Sequence, residues 1–284
     1  MTKNQNNTFS GATRYVLDDE LAGIVNVSMA LEMPLLLKGE PGTGKTMLAH
    51  AIAESLNMPL IVLNVKSSMK LVDALYQYDT LTRLNDSRFG DSKRDVSNIE
   101  DYIKMGKIGQ AFTSASRTVL LIDEIDKADT DFQDDMLDVL DQMEFDIIEI
   151  DNTITARFRP VIIITSNAKK DLSDPFLGRC NFHHIAFPDP EMMRKIIQVH
   201  FPDINSNLME SAVSTFYELR KIDAIEKKPA TRELINWIRA LTVDPSFKPK
   251  QLTKGEDVPY LGVLFKKSMD MRQARMLTQG PGRL

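Results

Sequence analysis

Residues 39–46 read GEPGTGKT and satisfy the spacing G-x-x-x-x-G-K-[ST] at every fixed position. The chemistry of such a loop is to hold phosphate. Gly39, Gly42 and Gly44 let the backbone curl until its N–H groups face one anion, with Glu40, Pro41 and Thr43 at the variable positions. Lys45 offers a cation to the β and γ phosphates of a nucleoside triphosphate, and Thr46 a hydroxyl to Mg²⁺. An apolar run, Met33 to Leu37, precedes the loop, and a helical pattern follows it, so a helix N-terminus adds its positive dipole end. Met47, in the first turn of that helix, completes the nucleotide-binding set.

A second constellation is LLIDEIDKAD, residues 120–129. Two adjacent carboxylates at the end of a buried apolar strand are costly to desolvate unless they serve a ligand. At the carboxyl end of a parallel strand they face the ligand crevice. Asp123 is suited to hold Mg²⁺ through its water shell, and Glu124 to take a proton from an attacking water. Phosphoryl transfer needs little more than positioning and charge compensation, so one metal-orienting acid and one base suffice. The next apolar strand ends in IIITSN, which places the Asn167 amide where it orients that water.

The elements that must position these residues are readable from periodicity. Asp18 opens a helix with Leu21, Ile24, Val25 and Leu31 on its apolar side, and Gly44–Leu56 reads as a second helix through Leu48, Ile52 and Leu56. Strands are expected at 35–37, 60–65, 118–125, 160–167 and 182–187. Nearly continuous apolar strands alternating with helices predict an α/β fold with a parallel sheet covered by helices on both faces. After Pro188 only helical patterns follow, at 189–201, 207–222 and 231–241. The expected division is a nucleotide-binding α/β domain over 1–188 and a small all-α lid domain over 189–284. The ends, to about Ala12 and from Gly280, are expected to fray.

In this order, GEPGTGKT, LLIDEID, IIITSN, DPFLGRC and PATRELINWI resemble the motifs of AAA+ ATPases. More narrowly the chain resembles the MoxR family, in wording closest to its CoxD-like branch. The resemblance runs from about Tyr15 to Arg272. Two insertions carry the narrower likeness. One is a long excursion over 73–112, similar to a helix-2 insert. The other is a hairpin over 144–160, alternating around Asp151 and Asn152 and similar to the one inserted before the sensor strand. The resemblance implies ATP hydrolysis with Mg²⁺, a homohexameric ring, and a chaperone-like role in metalloenzyme maturation or activation. It also implies a partner protein with a von Willebrand factor A domain; no D-x-S-x-S metal-site motif occurs in this chain. Arg179 matches the arginine that reaches a neighbouring subunit's nucleotide. Arg232 matches the lid arginine that touches the γ-phosphate, and Tyr15 and Val16 fall where adenine is held. Many relatives carry a second arginine where Gly178 stands here.

Other signals carry less. His183 and His184 are adjacent on a strand, so they point to opposite faces and do not grip one metal. Cys180 lacks a nearby base and is read as packed. Residues 123–151 hold thirteen carboxylates and one lysine. Most lie on a helix whose buried stripe is Phe132, Met136, Leu140 and Met143, which makes the rest a solvated acidic face. The net charge of −5 divides into +5 over 246–284 and −10 elsewhere. An acidic body disfavours nucleic-acid binding. The single cysteine and the lack of a leader or membrane-spanning run point to the cytoplasm. Competing readings are a nucleotide-gated scaffold, which has no need of Glu124, and the motor subunit of a nucleic-acid-acting complex. A GTPase lacks support, because NAKKD at 167–171 has the wrong spacing for a guanine motif.

Overall fold

The structure, a computed structural model, describes residues 8–90, 94–167, 170, 172–244 and 258–278. Helix α1 (Asp19–Leu31) starts where the Asp18 carboxylate accepts the Leu21 N–H at 2.7 Å, and it stops at Glu32, in the left-handed region at φ 55°. Strand β1 (Leu35–Lys38) follows, then α2 (Lys45–Ser55) and β2 (Leu60–Asn64). The excursion after β2 comprises α3 (Leu71–Leu75), β3 (Tyr76–Tyr78), α4 (Thr80–Phe89), β4 (Ile103–Met105) and α5 (Lys107–Phe112). Next come β5 (Val119–Asp123), α6 (Thr130–Gln142), the pair β6 (Glu144–Ile147) and β7 (Asn152–Thr155), then β8 (Val161–Ser166), α7 (Asp174–Gly178) and β9 (Asn181–His184). Helices α8 (Pro190–His200), α9 (Ser206–Arg220), α10 (Thr231–Val243), α11 (Leu261–Leu264) and α12 (Ser268–Thr278) complete the described chain.

Five strands form one parallel sheet in the order β2-β5-β8-β1-β9, flanked by helices, as the continuous apolar runs require. Leu35, Leu36 and Leu37 are wholly buried, each contributing about 1.5–3 kcal/mol of transfer free energy. In register, Asn64 lies opposite Asp123, and Ile122 opposite Ile164. Strands β5 and β8 are therefore neighbours, and the acids that end one adjoin the amide that follows the other. Two small antiparallel pairs stand apart from the sheet, β3 with β4 and β6 with β7.

Three details differ from the sequence reading. Strand β5 stops at Asp123 rather than running to 125, because Glu124 takes a left-handed backbone at φ 61°. The hairpin turns over residues 148–151, with Asp151 at φ 48°, and Asn152 is already paired with Ile147. The N-terminal segment is not frayed from Thr8 onward. Phe9 is 1% exposed, and its N–H and C=O are both bonded to the Asn26 side chain, at 2.8 and 2.9 Å. The expected fraying of residues 1–7 and 280–284, and much of the basic tail, lie outside the described residues.

By packing the chain divides into two units. The first comprises Leu17–Gly39 and Lys45–Ile185 with the segment before Thr13; the second comprises Thr13–Val16, Glu40–Gly44 and the chain from Ala186 onward. Among the described residues from Pro190 onward the second unit consists of helices and the turns that join them. Its core gathers Met193, Ile197, Phe216, Leu234, Trp237 and Leu261, and the Trp237 indole N–H donates to Pro259 O at 2.8 Å.

Candidate functional site

The loop between β1 and α2 is built around its glycines. Gly42 and Gly44 have φ of 84° and 95°, conformations that a side chain would strain. Space is also tight: a Cβ on Gly42 would lie 2.6 Å from Ala230 Cβ, and one on Gly44 would lie 3.5 Å from the Tyr15 ring, all within the second unit. Thr43 is buried and its hydroxyl donates to Glu40 O at 3.0 Å, tightening the curl. Lys45 is 6% exposed, and its ammonium donates back to Gly39 O at 2.8 Å. A buried cation needs such partners, and the Gly39 carbonyl is one of them. Pro41 and Met47 are exposed at the loop rim.

Thr46, one residue on, donates its hydroxyl to Asp123 Oδ1 at 3.0 Å, across 77 positions of sequence. The same Oδ1 accepts from Thr165 at 2.6 Å. The Thr165 hydroxyl oxygen in turn accepts the Glu124 backbone N–H at 2.9 Å. This hydroxyl, 1% exposed, therefore fixes both acids of the pair from the neighbouring strand. Asn167 Nδ2 donates to Glu124 Oε1 at 2.9 Å, and Lys127 forms an ion pair with Glu124 Oε2. That partner raises the Lys127 pKa, first through the direct bond to Glu124. Asp126, 3% exposed, accepts the Asn167 backbone N–H at 3.2 Å and so fixes the end of β8.

Thr46, Asp123, Thr165, Glu124 and Asn167 are thus joined by short bonds in the first unit, with Lys45 next to Thr46 in sequence. Arg179 stands elsewhere. It caps the C-terminus of α7, half exposed, and bonds Asp141 Oδ2 at 2.5 Å and Pro175 O at 3.4 Å. A side chain on Gly178 would meet open space, so nothing in this chain bars a second arginine there. Arg232 is exposed in the first turn of α10, in the second unit, where Glu233 caps the Ala230 N–H at 3.1 Å. Arg159 pairs with Glu32 at 3.5 Å, and Arg157 donates its N–H to Phe112 O.

Sequence reasoning missed Thr165, Asp126 and Lys127. The available signal was the polar triplet Thr165-Ser166-Asn167 at the end of a wholly apolar strand, of which only the last residue was used. The discounted residues differ in burial. His183 is nearly covered, 3.8 Å from Glu20, and His184 is exposed. Cys180 is half-buried, and burial followed by the Asp141 charge pushes its thiol up to about 12. Among the described residues no cluster of three or more His, Cys, Asp or Glu is arranged to hold a metal. No described helix is long and apolar enough to cross a membrane.

Comparison with known proteins agrees with this geometry. The chain is similar to Lon protease of Mycoplasma mobile, 31% identical over 156 residues. That match spans 51% of this chain and 16% of the Lon chain, so the likeness is to one portion of that protein. Among solved structures it resembles NtrX from Brucella abortus, determined in complex with ADP, with a TM-score of 0.51 at 15% identity over 82% of this chain and 52% of that one. At that identity the likeness is one of fold. Residues 35–188, more than half the chain, match the family described as "ATPase family associated with various cellular activities (AAA)". With the phosphate loop, the paired acids and the parallel sheet already in place, the match assigns the chain to that family: this protein is an AAA ATPase.

Proposed function

We propose that this protein is an ATP-hydrolysing subunit of MoxR type, of the CoxD-like branch. It works as a homohexameric ring that remodels a protein substrate during metalloenzyme maturation or activation, with a von Willebrand factor A domain protein as partner. The observation that carries the hydrolytic part is the bonded chain Thr46–Asp123–Thr165–Glu124–Asn167, which ties the phosphate loop to a carboxylate base. A nucleotide switch has no need of such a base. The 73–112 excursion and the 144–160 hairpin support the subfamily.

The donor set fits Mg²⁺. Thr46 and Asp123 offer two hard oxygens already 3.0 Å apart, and both bonds to Asp123 fall on Oδ1. When bound, the ion withdraws charge from the phosphate oxygens; Thr46 would hold it directly and Asp123 through water. Lys45 exchanges its bond to Gly39 O for one to the phosphates. The loop N–H groups hold the remaining charge. Asn167 orients Glu124 through Oε1, and Oε2, once released by Lys127, takes the proton of the attacking water. Arg179, delivered from a neighbouring subunit, neutralises charge developing on the γ-phosphate. Arg232 reports the lid position.

The test separates binding from chemistry. Lys45→Ala abolishes tight ATP binding by removing the phosphate's cation. Glu124→Gln keeps ATP bound and stops turnover. Equilibrium binding of ATP with Mg²⁺ and phosphate release, measured on both variants, decide the assignment; wild-type turnover in Glu124→Gln would sink it.

A further inference from the structure

Arg220, the last residue of α9, is a nearly buried cation, 11% exposed in its side chain. Its guanidinium lies over the Phe187 ring, 3.5 Å from the centroid, and 5.9 Å from that of Phe216. Nη1 donates to Pro229 O at 2.5 Å, and Nη2 donates to Glu40 Oε2 at 3.0 Å. All these residues belong to the second unit. Planar stacking with two directed bonds is an arrangement that arginine supports and lysine does not.

Glu40 occupies a variable position of the phosphate loop. A carboxylate there is electrostatically adverse, because the loop's N–H groups converge on a polyanion and like charges repel. The loop nevertheless carries it, with the Arg220 cation on one of its oxygens. Pro229 immediately precedes Ala230, the N-cap of α10, so one guanidinium holds both the loop's acid and the chain that leads to Arg232.

We infer that Arg220 is a positioning residue for the nucleotide: it neutralises and anchors Glu40 so that the phosphate loop presents its amides to the ligand without a free negative charge beside them. The inference rests on the reading of the loop as an ATP site. It makes Glu40 and Arg220 a coupled pair, each tolerated because of the other.

The experiment is a double-mutant cycle read by equilibrium binding of a slowly hydrolysed ATP analogue with Mg²⁺. Arg220→Met keeps an apolar stem on the two aromatic rings and removes charge and donors. Its dissociation constant should rise about three- to tenfold, the worth of a partly exposed charge-assisted bond. Glu40→Gln alone removes the acid and the need for its partner together, so its dissociation constant, whatever its value, is the reference for the second half of the cycle. The double variant should match Glu40→Gln within about twofold. If Arg220→Met does not fold, Arg220→Lys gives a smaller deficit, and that deficit too should vanish with Glu40→Gln. A deficit that persists in the double variants makes Arg220 a packing residue and overturns the inference, as does wild-type affinity in both single Arg220 variants. A wild-type protein that binds no analogue would instead overturn the reading of the site itself.

Discussion

Thr165 donates to Asp123 and accepts from the Glu124 N–H, so one hydroxyl holds the Asp123 carboxylate and the Glu124 backbone. Thr165→Val keeps the shape and removes both bonds, leaving a buried N–H unpaired. We expect a loss of about 1–3 kcal/mol in stability by denaturant unfolding, together with reduced turnover, both recovered by Thr165→Ser. Cys180 gives a second outcome at this scale. With the thiol at about 12, the thiolate is scarce near neutral pH, so iodoacetamide should label the native protein more than about tenfold slower than the unfolded chain. Native labelling at the unfolded rate would show that the thiol is not held in this environment. The placement of Lys45, Thr46, Asp123 and Glu124 at one loop and one strand end was legible in the sequence, because glycines and an apolar run mark both places. Thr165 and Lys127 were not. A threonine in an apolar strand and a lysine among acids mean nothing until strand order puts β8 beside β5 and a left-handed Glu124 turns its side chain toward Lys127.

The base of the 73–112 excursion joins the main core through Leu75, Tyr76, Ile108 and Phe112, whereas α4, which has no buried residue, is held by polar contacts. Asp79 caps α4 through the Thr82 N–H at 3.0 Å and pairs with Lys104 of β4 at 2.6 Å. These bonds, the Lys104 partner first, hold its carboxyl at about 2, below the ordinary 3.8. A depressed folded-state pKa means that the contribution is fully present above about 4 and is lost as pH falls through about 2. Amide protection factors over 76–90 and 94–105 should therefore fall in that window in wild type and show no such step in Asp79→Asn. The second pair, β6–β7, is tied to this excursion. The Tyr76 hydroxyl accepts the Ile148 N–H at 3.2 Å, and its ring stacks on Phe145 at 6.2 Å between centroids. Sequence alternation marked the β6–β7 pairing but not β3–β4, and the turn position depended on Asp151 adopting a positive φ, which no periodicity encodes.

At the scale of the whole molecule, the proposed role of Arg179 in trans bears on assembly. Its partners in this chain are Asp141 and Pro175, not the Glu124 group, so a role in hydrolysis calls for delivery to another copy. Arg179→Ala should bind ATP nearly normally and hydrolyse it roughly 10³ to 10⁵ times more slowly. Mixing it with Glu124→Gln before nucleotide is added should recover activity, because some interfaces then pair an intact Glu124 with an intact Arg179. No recovery despite demonstrated subunit exchange would refute action in trans.

The glycines at the base of the excursion have a consequence for how such chains diversify. A Cβ on Gly106 would lie 2.4 Å from the Ala74 carbonyl, and one on Gly109 would lie 2.2 Å from Leu75 O. The Gly106 N–H donates to Leu75 O at 2.8 Å. The polypeptide thus leaves at Leu75 and returns at Gly106 through a neck closed by backbone against backbone. Everything beyond that neck is topologically a cassette. Replacing residues 76–105 by a short Gly-containing turn joins two points already in hydrogen-bond contact and adds little loop-closure entropy. Exchange of one cassette for another would then leave the five-stranded sheet as inherited.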